Sequence, residues 1–272
     1  NEWHLTDPPW GIAFIVLPFL PDKGYGPYEL FNPHFIWLMV GLISGISFIG
    51  YALMKWYGEK GMVISGLLGG LVSSTATTMS FAQRSLKEKK GYRALVLGVL
   101  LANAVMFIRV LVEIFIINRS LLVKILLPLL GLAMLTFIFS YFLWKKSKKV
   151  KGEVELGTPL ALKPAIQFAV IFAFIIALTK LANIYLSSKG VYVVSFLSGF
   201  ADVDAITLSL SQLAKTELAE NIAQDGIIIA VLTNVAVKGG IAYWFGGKEF
   251  GKSVLGYVAV LVAVGVGLVV LL

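Results

Sequence analysis

The sequence predicts an all-α integral membrane protein with eight to nine transmembrane helices in two internal repeats. Of its 272 residues, 58% are hydrophobic and only 14% are charged, whereas a soluble domain carries about 25% charged residues. The apolar residues form continuous runs of about 20 residues, the length at which a helix crosses a bilayer. They lack the alternation of polar and apolar residues that marks a membrane β-barrel. With no cysteine in the chain, disulfides and thiol chemistry are excluded.

The internal repeat is visible in one pair of segments, which we call the twins. Residues 60–83 align with residues 189–212 without a gap, and eight of the 24 positions are identical. The match includes Lys-Gly at one end and Gln at the other. In this alignment Ser73 corresponds to Asp202, and Thr75 corresponds to Asp204. We therefore predict that the two halves of the chain arose by duplication.

The apolar runs divide the chain into four regions. Residues 1–33 hold a short first span and a loop, and residues 145–163 form a charged linker between the halves. The first membrane repeat covers residues 34–144, with spans at 34–56, 61–83, 94–117 and 120–144. The second covers residues 164–272, with spans at 164–187, 191–214, 222–245 and 252–272. Four crossings per half relate the halves in parallel, whereas an odd number, with one twin re-entrant, inverts them.

The net charge of +8 is located in loops. Residues 84–93 and 145–163 are both basic and are separated by two spans, so they lie on one side, which the positive-inside rule makes the cytoplasm. Because the basic residues report topology, nucleic acid is not expected as a partner. We predict a multi-pass protein of the cytoplasmic membrane in a bacterium or archaeon, with the lipid bilayer as its surroundings.

Two aspartates stand in the middle of the second twin. An aspartate at the centre of a membrane helix costs about 2.5–3.5 kcal/mol, so Asp202 and Asp204 indicate a function. Residues two apart on a continuous helix point about 200° away from each other. The two aspartates therefore serve different neighbours, or the helix opens near Gly199.

Other polar residues within spans extend the candidate ion pathway. The predicted pathway residues are Ser73, Thr75, Thr78, Asn103, Ser198, Asp202, Asp204, Thr207, Asn234 and Lys238. Arg109 and Glu113, one helical turn apart, are predicted to form a structural ion pair. Lys238 is expected to pair with Asp202 or Asp204.

Several interpretations of these residues remain open. The hydroxyl groups could serve only to pack helices closely, and the aspartates could form only a buried ion pair. If Asp202 binds a ligand, oxygen donors suit a hard cation such as Mg²⁺ or Na⁺. Otherwise no cofactor is expected. An enzyme is not predicted, because the aspartates diverge on a regular helix and no hydrolase motif is present.

Three motifs resemble a known family. They are Gly66-Leu-Leu-Gly-Gly-Leu-Val-Ser-Ser-Thr-Ala-Thr-Thr78, Ala102-Asn-Ala-Val-Met-Phe-Ile-Arg-Val-Leu-Val-Glu113 and Ser198-Gly-Phe-Ala-Asp-Val-Asp-Ala-Ile-Thr-Leu-Ser209. The chain resembles, over about residues 10–245, the C-terminal membrane domain of unassigned function in MgtC/SapB-like proteins. That resemblance implies a link to magnesium or ion homeostasis, and a preceding MgtC-like domain that this chain lacks.

The predicted function is a transporter or channel for an ion or small solute, in which the polar stretches 73–80 and 198–211 meet near the middle of the membrane. The alternative is a regulatory or scaffold subunit that binds another membrane protein. A homodimer is compatible with either function. Measurement of ion flux through the purified protein in liposomes distinguishes a transporter or channel from a scaffold.

Overall fold

The structure, a computed structural model, describes residues 16–57, 61–88, 91–147 and 162–271. Within these ranges, two short 3₁₀ helices, Leu17–Phe19 and Pro27–Glu29, precede eight α-helices. These are α1 (Pro33–Tyr57), α2 (Met62–Lys87), α3 (Tyr92–Ile117), α4 (Arg119–Lys146), α5 (Leu162–Ala201), α6 (Val203–Leu213), α7 (Glu220–Phe245) and α8 (Lys248–Leu271). The predicted all-α class is confirmed. Most of the short first span and of the charged linker lies outside the described residues.

Seven helices in the described ranges are long and apolar enough to cross a membrane. The chain is therefore a multi-pass membrane protein by length and composition. α3 is the central helix, with 78% of its most apolar stretch buried, whereas the corresponding value for α1 is 17%. α1 consequently presents most of its surface to the surroundings, and α3 packs in the core.

The helix α2 reverses its direction at Ser73, where the backbone is extended with φ −165° and ψ 110°. A Cβ atom at Gly66 would lie 2.7 Å from Gly98 Cα, and the ring of Phe81 contacts Gly98 as well. In a continuous helix, residues 66 and 81 would be about 22 Å apart, too far for both to meet one glycine. We name residues 62–87, which fold back on themselves in this way, hairpin 1.

The second twin reverses in the same way. The backbone at Ser187 (φ 52°) ends the first part of α5, residues 162–186, and residues 188–201 form a separate arm. The chain then breaks at Asp202, and α6 runs back. A Cβ atom at Gly226 would lie 2.8 Å from Ser195 Oγ and 2.9 Å from Leu210 Cδ1, so both arms meet α7 side by side. We name residues 188–213 hairpin 2.

Contacts at the two ends of the helix bundle show where each hairpin begins. At one end, Ser85 in hairpin 1 accepts a hydrogen bond of 2.7 Å from the backbone N–H of Gly247. At the opposite end, Lys180 binds Glu217, just after hairpin 2, at 2.7 Å. The side chain of Asn118 donates to the Ser211 carbonyl there. Hairpin 1 therefore opens at the Ser85 end and hairpin 2 at the Glu217 end.

The predicted number of eight to nine transmembrane helices is not confirmed. Within the described residues, six segments are long enough to cross and run straight through the bundle: α1, α3, α4, residues 162–186, α7 and α8. Residues 61–83 and 191–214 were predicted as spans, with one of the two re-entrant as the open alternative, and both form hairpins. Each arm of a hairpin is about 16–21 Å long at 1.5 Å per residue, which is roughly half the thickness of a bilayer.

Cysteine labelling tests the reversals in this cysteine-free chain. Single cysteines at Lys55 and Lys87 mark the two ends of hairpin 1, and single cysteines at Lys189 and Lys215 mark the two ends of hairpin 2. We expect both members of each pair to be labelled from one side of the membrane, with the two pairs on opposite sides. If Lys55 and Lys87 were labelled from opposite sides, hairpin 1 would be a crossing helix.

Candidate functional site

A polar cavity of about 190 Å³ lies between the tips of the two hairpins. It is lined by Ile43, Ser47, Gly70, Val72, Ser73, Ser74, Thr75, Met106, Arg109, Ala201, Asp202, Val203, Asp204 and Asn234. Ser73 and Asp202, which correspond to each other in the sequence alignment, both line this cavity. Since each hairpin reaches about halfway through the bundle, the cavity lies near the middle of the bundle. The predicted approach of the two polar stretches is therefore present in the structure.

The break in each hairpin is stabilised by the side chain at the tip. Ser73 Oγ accepts a hydrogen bond of 3.2 Å from the backbone N–H of Ala76. Asp202 Oδ1 accepts one of 2.7 Å from the backbone N–H of Asp204. Serine and aspartate are both preferred N-cap residues, because their oxygens satisfy N–H groups that lack a partner in the first helical turn. The residues that align in sequence thus have the same structural role.

Arg109 is the electrostatic centre of the site. Its guanidinium forms an ion pair with Asp204, and its Nε lies 3.3 Å from Glu113 Oε1. Its Nη1 also donates to the Leu71 carbonyl at 3.0 Å, near the tip of hairpin 1. Arg109 on α3 therefore joins hairpin 1 to hairpin 2. The predicted ion pair between Arg109 and Glu113 is present, although Arg109 serves a second carboxylate as well.

Asp202 differs from Asp204 in its partners. Among the described residues, no lysine, arginine or histidine lies within 4 Å of the Asp202 carboxylate. Its side chain is only partly exposed and lines the cavity. Asp204, in contrast, is buried against Arg109. The two carboxylates face different groups because Asp202 lies at the break, whereas Asp204 lies in the first turn of α6.

The prediction that Lys238 pairs with Asp202 or Asp204 is wrong. Its Nζ donates to Asn103 Oδ1 at 2.9 Å and approaches Met106 Sδ at 2.8 Å. The side chain is fully buried, and within the described ranges no carboxylate lies within 4 Å of it. Arg109 takes Asp204 instead, because α3 brings the guanidinium to the tip of hairpin 2.

Asn234 holds the tip of hairpin 2 against α7. Its Nδ2 donates to the Gly199 carbonyl at 3.0 Å. The side-chain oxygen of Asn234 takes no part in this bond and remains available as an acceptor at the cavity. A Cβ atom at Gly199 would lie 2.6 Å from the Ala230 carbonyl oxygen, so only glycine allows this close approach.

The cavity collects some of the predicted pathway residues and leaves out others. It includes Ser73, Thr75, Asp202, Asp204 and Asn234, together with Arg109 from the predicted ion pair. Thr78, Asn103, Ser198, Thr207, Lys238 and Glu113 are buried elsewhere in the packing. Thr78, for example, donates to the Ser74 carbonyl of its own helix at 2.8 Å. Sequence reasoning missed Ser47 and Met106, since an isolated serine or methionine in an apolar span gives no distinctive signal.

The site offers oxygen ligands for a cation. Asp202 supplies a carboxylate without a paired cation, while Ser47, Ser73 and Thr75 supply hydroxyl groups. The described residues contain no group of three or more histidine, cysteine, aspartate or glutamate side chains placed to hold a metal ion. The cavity therefore places the Asp202 carboxylate and neutral oxygens beside the Arg109–Asp204 ion pair, in a space large enough for an ion and several water molecules.

Comparison with known proteins places these elements within the part of the chain that a family model matches. The family described as "Domain of unknown function (DUF4010)" matches residues 42–246, which include both hairpins. A protein from Aquifex aeolicus (strain VF5), described as "Uncharacterized protein", is 36% identical over 200 residues. That alignment covers 72% of this chain and 87% of the Aquifex protein. No solved structure matches the chain.

Proposed function

The chain belongs to the DUF4010 family, and we propose that it transports a hard cation across a membrane through the cavity between hairpins 1 and 2. The observation that carries this proposal is that two broken helices, opening at opposite ends of the bundle, direct their breaks toward one polar cavity. Discontinuous helices that meet near the middle of the bilayer are a recurring way to build a transport site.

The arrangement of the helices supports an inverted repeat. In the first half of the sequence, α1 precedes hairpin 1, and α3 and α4 follow it. In the second half, residues 162–186 precede hairpin 2, and α7 and α8 follow it. Each half would then contain three crossing segments and one hairpin. The odd number of crossings inverts the second half relative to the first. Inverted repeats allow a protein to expose one central site alternately to the two sides by rocking one half against the other.

Asp202 is the proposed ligand for the cation. A carboxylate without a paired cation in a low-dielectric region is costly, and a bound cation would offset that cost. At the C-terminal ends of residues 62–72 and 188–201, the carbonyl groups of Leu71, Ser198 and Gly199 accept hydrogen bonds, and the remaining carbonyl groups of each last turn carry partial negative charge. Together with the hydroxyl groups of Ser73 and Thr75, they provide the oxygen donors that hard cations prefer.

Transport assays with purified protein in liposomes test the proposal. We expect uptake of Na⁺ or Mg²⁺ that falls at least about ten-fold in Asp202→Asn, since a neutral amide binds a hard cation less strongly than a carboxylate. Asp225→Asn is the matched control, because Asp225 accepts a hydrogen bond of 2.9 Å from Tyr192 and does not line the cavity. Equal uptake by the two variants would contradict a role for Asp202.

A regulatory or scaffold subunit is the alternative function. It is favoured by an apolar groove along α1, which is lined by residues such as Trp37, Gly41, Gly45 and Ile116. A scaffold predicts no cation flux in liposomes of purified protein, so the same assay separates the two functions. The relation to MgtC/SapB-like proteins and the placement in the cytoplasmic membrane, with the basic Ser85 end inside, are parts of the proposal.

A further inference from the structure

Three buried polar side chains lie outside the cavity and have no role in the transport proposal. They are Glu113, Thr207 and Ser211, and all three are fully buried. Their atoms Glu113 Oε2, Thr207 Oγ1 and Ser211 Oγ have no hydrogen-bond partner in the part of the chain that the structure describes. An unpaired polar atom in the interior costs about 1–3 kcal/mol. Buried polar atoms of this kind commonly bind internal water molecules.

The helices α3 and α6 pack against each other between the cavity and the Glu217 end of the bundle. At the cavity, Arg109 on α3 forms the ion pair with Asp204 on α6. Toward the Glu217 end, Asn118, which follows α3, donates to the Ser211 carbonyl on α6. Lys215, one helical turn after Ser211, is exposed. The contact between the two helices therefore extends from the cavity to the surface at that end.

Glu113 and Thr207 lie between these two contacts. Glu113 follows Arg109 by one helical turn, and its Oε1 lies 3.3 Å from Arg109 Nε, so it lies on the face of α3 that meets α6. Thr207 follows Asp204 by three residues, and Ser211 follows Thr207 by four, which places all three on one face of α6. The polar groups thus form a row about 10 Å long from Asp204 to Ser211, at 1.5 Å per residue.

We propose that this row conducts protons between the cavity and the Glu217 end, and that the protein exchanges its cation for a proton. This inference rests on the proposed transport function. Each hydroxyl oxygen of Thr207 and Ser211 accepts a proton from one neighbour and releases its own proton to the next, so the side chain is left unchanged. Water molecules bound to the unpartnered atoms bridge the distances between them.

Glu113 is the proton carrier nearest the cavity. Its carboxylate takes up a proton at Oε2 and becomes a neutral carboxyl group. It becomes a carboxylate again when the proton passes to water in the cavity. Carboxylates within membrane helices recur in proton relays of pumps and transporters.

Glu113 couples the proton to the cation because it shares Arg109 with the cavity. The charged groups that face it are Arg109 on its own helix and Asp202 and Asp204 on hairpin 2. In the described part of the chain, no other basic group lies within 4 Å of Glu113, and Lys238 on α7 contacts α3 two turns away. Arg109 stays charged, so a proton on Glu113 leaves that charge less neutralised. A cation at Asp202 is then disfavoured, and the proton and the cation bind in turn.

Liposomes that contain the purified protein and a trapped pH indicator test the exchange. They are loaded with NaCl or MgCl₂ and diluted into choline chloride, with equal K⁺ on both sides and valinomycin to hold the membrane potential at zero. As the cation leaves through the parent protein, the interior should become acidic. Glu113→Gln keeps the shape of the side chain but does not take up a proton in this pH range, so the acidification should be lost.

The two hydroxyl groups provide variants that do not depend on the folding of Glu113→Gln. Thr207→Val and Ser211→Ala remove hydroxyls that have no partner in the described residues, so the protein should fold, and acidification should slow at least about ten-fold. Thr179→Val and Ser140→Ala are the matched controls. Their hydroxyls are also buried, but they donate to carbonyl groups of their own helices at 2.7 and 2.8 Å. Both controls should acidify as the parent does.

The results distinguish failure of this inference from failure of the proposed function. Cation flux that depends on Asp202 but produces no change of internal pH would overturn the exchange and leave transport intact. Equal acidification by Thr207→Val and Thr179→Val, together with equal acidification by Ser211→Ala and Ser140→Ala, would overturn the proton path. If the parent protein shows neither cation flux nor acidification, the transport function fails and the exchange fails with it.

Discussion

Replacing Arg109 by methionine is expected to lower the free energy of unfolding by about 3–5 kcal/mol. The guanidinium is the partner of Asp204 and Glu113, and it also binds the Leu71 carbonyl. Its loss leaves two buried carboxylates without a positive charge, and it releases hairpin 1 from hairpin 2. Unfolding of the purified protein in mixed micelles, followed by circular dichroism, measures the change.

A second substitution separates the loss of charge pairing from the loss of packing. Adding Asp204→Asn to Arg109→Met removes one of the orphaned charges, so part of the lost stability should return. Lys124→Met serves as a control, because Lys124 pairs with Glu220 but is half exposed, and an exposed pair contributes little. Equal losses in Arg109→Met and Lys124→Met would show that Arg109 does not hold the hairpins together.

Replacing Gly199 by alanine is expected to destabilise the protein by about 1–3 kcal/mol and to reduce cation flux. The new methyl group would lie 2.6 Å from the Ala230 carbonyl oxygen and 2.7 Å from Thr233 Cβ. The first arm of hairpin 2 must therefore move away from α7. Because the tip follows directly at Asp202, the displacement also changes the cavity.

Gly131→Ala is the matched control for this substitution. Gly131 lies within α4, and a Cβ atom there would meet nothing within 4 Å. Since alanine favours a helix more than glycine does, the free energy of unfolding of Gly131→Ala should equal that of the parent protein or be slightly higher. If both glycine variants unfold alike and transport alike, close packing of hairpin 2 against α7 is not required.

The sequence by itself determined the class of the protein and the location of its unusual residues. Long apolar runs specify membrane helices, because only a helix satisfies its backbone hydrogen bonds internally within a bilayer. The gapless alignment paired Ser73 with Asp202, and both cap a broken helix in the structure. The pair of aspartates two residues apart predicted either that they serve different neighbours or that the helix opens near Gly199, and in the structure the helix breaks at Asp202. Helical spacing was enough to predict the Arg109–Glu113 pair.

Only the tertiary structure decided that the twins turn back and which charges meet. Two apolar arms, each half the thickness of the membrane, have the same hydropathy as one crossing helix, so composition does not distinguish them. The reversal depends on close contacts with α3 and α7, such as Gly66 against Gly98 and the Asn234 bond to Gly199. The choice of Arg109 over Lys238 as the partner of Asp204 likewise depends on distance across helices. Sequence spacing along one chain does not specify such distances, because they are set by how separate helices pack.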